Sequence, residues 1–216
     1  MKELKDFANL RRAYDRAMRG PAGIGFGRLT TWGLNAPPDL NLRRLLGRPA
    51  RVLEVGCGQG HLLEKAHRQL RPERLVGVDL SEVMARIAWQ RLTRRRKTDR
   101  IQVMQAEATA LPFPDSSFDA VLSMHMMEHL DDEPLSRFMA EARRVLKPGG
   151  RLLAWTFSDN NFIIGLGQRF DYSRQMVGRS ADRLCSLANQ AGFQRAEKAR
   201  LGLFYPFNSA VLAHRD

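Results

Sequence analysis

Residues 51–60 read Arg-Val-Leu-Glu-Val-Gly-Cys-Gly-Gln-Gly, and the rest of the chain is understood outward from them. Val52, Leu53 and Val55 form a short apolar run suited to a buried strand. Gly56, Gly58 and Gly60 then make a turn that bulkier residues would not make comfortably. Helical periodicity resumes at once in His61-Leu62-Leu63-Glu64-Lys65-Ala66. A strand, a glycine turn and a helix N-terminus together aim backbone N–H groups at a nucleotide-like ligand. A glycine turn of purely structural use is the plainer alternative.

Spacing narrows the choice. A dinucleotide fingerprint needs glycine or alanine at 61, where His61 stands, and the third glycine falls one residue early. A phosphate-binding loop would end in Gly-Lys-Ser/Thr, and none follows. Glu54 lies two residues before the first glycine, giving Glu-x-Gly-x-Gly-x-Gly.

The chain around this turn alternates. Strands are predicted at 51–55, 74–78, 101–104, 119–123 and 151–156, and helices near 60–70, 82–95 and 134–146. Lys147-Pro148-Gly149-Gly150 is expected to stop the last of these helices. A helix near 180–191 and one or two strands around 193–202 and 207–213 finish the chain. Alternating strands and helices with nearly continuous apolar strands predict an α/β fold, its parallel sheet covered by helices on both faces. Ligands bind such sheets outside the carboxyl ends of the strands.

At 216 residues the chain is expected to be a single domain. Residues 1–48 would form an N-terminal helical cap and loop, and 49–156 the ligand-binding core. Residues 157–178 would be an insertion over the site, and 179–216 a C-terminal helix and strands. The N-terminal part holds an amphipathic helix candidate at 3–19 and a Gly-rich loop at 20–40.

No stretch approaches the roughly 18 apolar residues of a spanning helix. The opening Met-Lys-Glu-Leu-Lys-Asp leads into no secretory signal. Two cysteines, Cys57 and Cys185, form no C-x-x-C pair. A cytoplasmic, metal-free protein is therefore expected. The net charge of +12 invites a nucleic-acid partner. However, arginine outnumbers lysine 29 to 6, a bias that genome composition explains as readily. The basic cluster Arg91, Arg94-Arg95-Arg96-Lys97 and Arg100 ends a predicted helix, where a solvated face is the commoner reason. Nucleic acid is not favoured, and contact with an anionic membrane surface stands beside it.

Asp79 ends the second strand, where a carboxylate accepts the two hydroxyls of a ribose or caps the following helix. Glu107 follows the third strand, placed for an exocyclic adenine amine or for solvent. Four segments then match one family in order and spacing. They are Val-Leu-Glu-Val-Gly-Cys-Gly-Gln-Gly (52–60), Gly-Val-Asp-Leu-Ser (77–81), Leu-Pro-Phe-Pro-Asp-Ser-Ser-Phe-Asp (111–119) and Arg-Val-Leu-Lys-Pro-Gly-Gly (144–150). Over residues 51–156, about half its length, the chain resembles the UbiE-type, or type 11, class I S-adenosylmethionine-dependent methyltransferases.

The resemblance implies a Rossmann-like class I methyltransferase fold, a mostly parallel seven-stranded sheet whose last strand runs antiparallel. It implies S-adenosyl-L-methionine as cofactor. Glu54, Gly56, Cys57, Gly58 and Gly60 would hold the methionine part, and Asp79 the ribose with Leu80 and Met84 packing nearby. Glu107, where the family usually has aspartate, and the Ala108 N–H would meet the adenine. Ser123 and Met124 would line the sulfonium, and Tyr14 matches an aromatic that some relatives fold over the cofactor.

Methyl transfer from a sulfonium is an in-line displacement for which the protein supplies alignment and exclusion of water. A general base is required only where the acceptor loses a proton, as a phenol or enol does. His125, Glu128 and His129 just past the fourth strand are the candidates, with Asp171 and Tyr172 in the insertion behind them. His125 and His129, four residues apart, also resemble one face of a helical metal site, without further ligands in the sequence. A structural hydrogen bond is the plainer use of His129. A small-molecule acceptor, apolar or lipid-like, suits Phe26, Trp32, Leu34, Phe157, Phe162, Ile163, Ile164 and Phe170 in the cap segments, though the same residues also suit a core. An RNA acceptor and a non-catalytic cofactor-binding protein are the alternatives.

Overall fold

The structure, a computed structural model, describes Arg12 and residues 39–93, 100–160, 176–202 and 208–216. Tyr14, the helix expected at 3–19, Arg94–Lys97, and Asp171 and Tyr172 lie outside the described residues.

Element order is α1 (Leu42–Leu46), β1 (Arg51–Val55), α2 (His61–Leu70), β2 (Arg74–Asp79), α3 (Glu82–Thr93) and β3 (Ile101–Gln105). Then come β4 (Phe118–Met124), a 3-10 turn (Met127–His129), α4 (Asp132–Val145), β5 (Leu146–Phe157), α5 (Ala181–Gln190), β6 (Arg195–Lys198) and β7 (Asn208–His214). The strands form one seven-stranded sheet in the order β3-β2-β1-β4-β5-β7-β6. β1 to β5 are parallel, and β7 runs antiparallel to both β5 and β6.

β1 shows why a continuous apolar run suits this position. Arg51 is exposed and the next four residues are buried. Val52 packs with Leu42, Leu62, Leu63 and Leu92 on one face, while Leu53 and Val55 pack with Phe138, Met139 and Leu184 on the other. Successive side chains thus serve opposite layers, and both layers are covered by helices.

The chain grows outward from β1 to β2 and β3, then crosses back to lay β4 on the other side of β1. The reversal between β1 and β4 is the switch point at whose carboxyl edge such sheets open a crevice. Register places Val55 beside Val78 on one side and Ser123 on the other, so the ends of β1, β2 and β4 meet there.

One expectation is overturned in detail. Lys147-Pro148-Gly149-Gly150 does follow the end of α4 at Val145, but the strand expected at 151–156 starts earlier, at Leu146, which pairs with Phe118. Gly149, at φ +78°, donates its N–H to Arg215 O, so the segment runs on as irregular strand. α4 passes directly into it: the N–H of Leu146 caps back onto Ala142 O and the chain then extends.

Candidate functional site

The glycine turn is fastened to β2 before it can meet any ligand. Gly56 N and Cys57 N both donate to Val78 O, at 2.8 and 2.9 Å, and Gly60 N closes the turn onto Cys57 O at 2.8 Å. Gly56, Gly58 and Gly60 all adopt positive φ, at 76°, 50° and 80°. Gly56 also has no room for a side chain, since a Cβ there would sit 2.6 Å from the Cβ of Met126. Gly60 stands as N-cap of α2, with its carbonyl accepting from Glu64 N.

Glu54, 0% exposed, ends up beneath this turn. Neither carboxylate oxygen has a hydrogen-bond partner. Burial and, after it, the nearby Asp79 push its pKa well above the usual carboxylate range. An uncompensated buried carboxyl is costly, so a site that keeps one is built for a cation or donor that completes it. Asp79, half-buried at the end of β2, accepts from Gly58 N (2.8 Å) and Ser81 N (2.9 Å), which orients its carboxylate at the carboxyl edge. The N–H of Met84 is capped by the Ser81 hydroxyl at 3.2 Å, and the Met84 side chain is buried.

Leu80 is half-buried, and its carbonyl accepts from the Gln105 side chain at 2.9 Å. Ala106 N bonds Asp79 O, which brings the end of β3 beside the end of β2. Glu107 is exposed just beyond, in a one-bridge turn with Ala110, and Ala108 is half-buried. Ser123, fully buried with no hydrogen-bond partner for its hydroxyl, and half-buried Met124 end β4. Cys57 is buried in the turn, where burial pushes its thiol pKa well up. Cofactor candidates from four separate segments therefore converge on one edge.

The residues after β4 do not form a helical face. His125 sits at φ +50°, its N–H bonded to Trp155 O at 3.0 Å, and a 3-10 turn covers Met127–His129. His125 and His129 therefore do not share one α-helical face, because the chain kinks between them. No group of three His, Cys, Asp or Glu side chains among the described residues is placed to hold a metal ion.

The kink instead brings His125 Nδ1 to 3.2 Å from Glu128 Oε1, close enough for an ion pair though not aligned as a good hydrogen bond. The other oxygen of Glu128 accepts from the Thr156 hydroxyl on β5 at 2.7 Å. Burial pushes the Glu128 pKa up, but His125, His129 and Thr156 outweigh it and hold the group below its ordinary value. The His125 ring leans on Phe157 with centroids 4.4 Å apart, and His129 is buried.

Thr156 and Arg179 are parts of this site that sequence reasoning missed. Arg179 is buried and bonds the carbonyls of Met127 and Leu130. A hydroxyl amid the apolar end of β5, and a lone arginine after Gly178, were the signals available.

Sheet order, antiparallel β7 and the glycine edge are together the class I methyltransferase fold. Comparisons agree. Residues 53–154 match the methyltransferase-domain family model. The "Probable S-adenosylmethionine-dependent methyltransferase Rv3030" of Mycobacterium tuberculosis is 34% identical over 159 residues, covering 71% of this chain and 52% of that protein. The demethylmenaquinone methyltransferase of Lactiplantibacillus plantarum is 28% identical over 194 residues, 78% of each chain. Among solved structures, Haemonchus contortus phosphoethanolamine N-methyltransferase 2 in complex with S-adenosyl-L-methionine superposes with a TM-score of 0.72. At 24% identity it covers 93% of this chain and 47% of that one.

Over residues 53–154 the chain carries the methyltransferase domain of the class I S-adenosylmethionine-dependent family. Its relatives by sequence include the UbiE and menaquinone methyltransferases. It spans about half the length of the first curated relatives it matches. No helix among the described residues is long and apolar enough to cross a membrane.

Proposed function

We propose that this chain transfers a methyl group from S-adenosyl-L-methionine to an apolar, lipid-like small molecule. The observation that carries the donor half is Glu54: a fully buried carboxyl without a hydrogen-bond partner, below a glycine turn and near Asp79. A donor with a cationic amino-acid end supplies the complement that Glu54 lacks, and its ribose hydroxyls can donate to the Asp79 carboxylate. In this reading Glu54, Gly56, Cys57, Gly58 and Gly60 hold the methionine part. Asp79 takes the ribose hydroxyls, with Leu80 and Met84 against the nucleoside. Glu107 and the Ala108 N–H meet the adenine, and Ser123 and Met124 border the sulfonium. Tyr14 would close over the cofactor from the N-terminal segment. His125 and His129, just past β4, are the catalytic candidates, with His125 as the base where the acceptor must lose a proton.

The acceptor half is supported by the L. plantarum relative, whose name specifies demethylmenaquinone, an apolar quinone. The +12 charge favours one second reading, an RNA acceptor. Calorimetry with S-adenosylmethionine tests the donor, and no heat across the submillimolar range would refute both readings. Labelled methyl donor offered with demethylmenaquinol and with cell lipid and RNA fractions then sorts the acceptor. A labelled lipid-soluble product supports the proposal. Labelled RNA, suppressed by salt and by competing polyanion, would replace it.

A further inference from the structure

The pair His125 and Glu128 does more than fill the end of β4. We propose that Glu128, clamped by Thr156, is a positioning residue that fixes the His125 imidazole as a general base. The acceptor is then a proton-bearing one, a phenol or enol. This deepens the methyl-transfer reading and rests on it.

Three observations carry it. First, Glu128 is 1% exposed, with one oxygen at 3.2 Å from His125 Nδ1 and the other accepting from Thr156 at 2.7 Å. A leucine at this spot would fill the same space without bringing a charge out of water. Second, His125 adopts φ +50°, a conformation uncommon for residues other than glycine though histidine enters it more readily than most, and it is held there by its N–H to Trp155 O. Strained backbone of this kind gathers where a side chain must be aimed. Third, the next residue, Met126, lies directly over Gly56 of the donor-binding turn, so the aimed ring belongs to the same edge.

With Nδ1 lying 3.2 Å from Glu128 Oε1, the proton exchange with an acceptor is assigned to Nε2. In the step proposed, Nε2 takes the proton of an acceptor O–H. The electron pair released makes the new bond to the methyl carbon, from oxygen or, in an enol, from the conjugated carbon. The carbon–sulfur bond breaks with its pair going to sulfur, and a neutral thioether leaves. The imidazolium, facing the Glu128 carboxylate, later returns its proton to water. The 3.2 Å contact is looser than an ideal hydrogen bond, as such contacts commonly are before substrate arrives. Among the described residues, Glu128 faces the ring from its own turn at 3.2 Å. β5 contributes Thr156 and Phe157, without charge.

Nitrogen NMR of the full chain with labelled histidine reads the arrangement directly. Five histidines are present, and loss of a signal in His125→Gln assigns the one in question. The expected result is a neutral ring protonated at Nδ1, with Glu128→Gln and Thr156→Val moving the population toward Nε2–H. Thr156→Ser keeps the hydroxyl and restores the first state. A wild-type ring protonated at Nε2, or a tautomer indifferent to Glu128→Gln, overturns the proposal. S-adenosylhomocysteine affinity checks that each variant is folded, and Thr156→Ser against Thr156→Val decides should Glu128→Gln fail that check. On the acceptor found by the methyl-label screen, Glu128→Gln lowers kcat about 10- to 100-fold with KM unmoved. An unchanged kcat overturns the role as well. Failure of S-adenosylhomocysteine to bind the wild type refutes methyl transfer instead, and the ring tautomer of the free protein still reports on the relay.

Discussion

The buried Arg179 guanidinium donates to the carbonyl oxygen of Leu130 at 2.5 Å and, through its other nitrogen, to Met127 O at 3.0 Å. Val177 N adds a bond to Glu128 O, and Arg179 N one to Phe157 O. The segment 177–179 is thereby stitched to both the 3-10 turn and the end of β5. Arg179→Met keeps the volume but leaves these carbonyls unsatisfied, so it is expected to cost about 2–4 kcal/mol of stability. A urea midpoint equal to the wild type would show that the stitch carries little.

Glu54 sets a pH dependence whose sign follows from its raised pKa. Below its ordinary value of 4.5 the carboxyl is protonated whether folded or unfolded, and contributes nothing to the slope. Above that, the folded state keeps a proton that the unfolded state has lost. Stability of the free protein therefore falls as pH rises from there toward the folded pKa. A cationic donor favours the ionised form, so its binding expels the proton and tightens with pH over the same window. Calorimetry in buffers of different ionisation enthalpy is expected to show proton release, absent in Glu54→Gln. Equal heats in all buffers for the wild type would contradict this.

Asp119 behaves in the opposite sense. Burial pushes its pKa up, but the Lys147 ammonium and the Arg51 N–H outweigh it and hold the group below its ordinary 3.8. Its oxygens accept from Lys147 Nζ at 2.6 Å and Arg51 N at 2.7 Å, joining the starts of β1, β4 and β5. The stability it contributes is present above the unfolded value and lost as pH falls through the depressed one. Asp119→Asn keeps the Arg51 contact and loses the charge. Since the side chain is 28% exposed, a loss of about 1 kcal/mol near neutral pH is expected. Denaturant midpoints of the two proteins should converge in acid. A gap that persists there would mean the aspartate acts by shape alone.

The same residue shows how far the sequence could be read. Its motif and Lys-Pro-Gly-Gly were visible as matched segments, yet nothing local says that Asp119 and Lys147 pair across 28 residues. Likewise Arg144 bonds the carbonyls of Leu111 and Phe113 and, with Asp115 and Glu141, pins the Leu-Pro-Phe-Pro-Asp loop onto α4. Strand and helix periods are local, so β1 to β4 and α2 to α5 were legible nearly to the residue. The start of β5 was misread because Pro148 and two glycines signal a turn. Pairing of Leu146 with Phe118, and of Gly149 with Arg215, overrides that propensity. At the site, the glycine turn, Glu54 and Asp79 were legible because their backbone demands are written in spacing. Thr156 and Arg179 were not, because their roles arise only where β5 and the segment 177–179 meet the turn after β4.

Gly56 tests the donor edge most sharply, because two independent constraints meet there. At φ +76° an alanine is strained wherever it is placed, and its Cβ would fall 2.6 Å from Met126 Cβ and 2.7 Å from its Cγ. Met126 is tethered from both sides, by His125 N to Trp155 O and by His129 N to Met126 O, so it cannot retreat without moving the turn that holds Glu128. Gly56→Ala is therefore expected to cost about 1–3 kcal/mol and to weaken S-adenosylmethionine binding at least tenfold. Gly58→Ala, whose Cβ would meet nothing within 4 Å, carries the backbone strain alone and should cost about 1 kcal/mol. Thermal melts and calorimetry on the two variants separate crowding from conformation. Equal losses at both positions would mean that Met126 yields and that the turn after β4 is not coupled to the donor site.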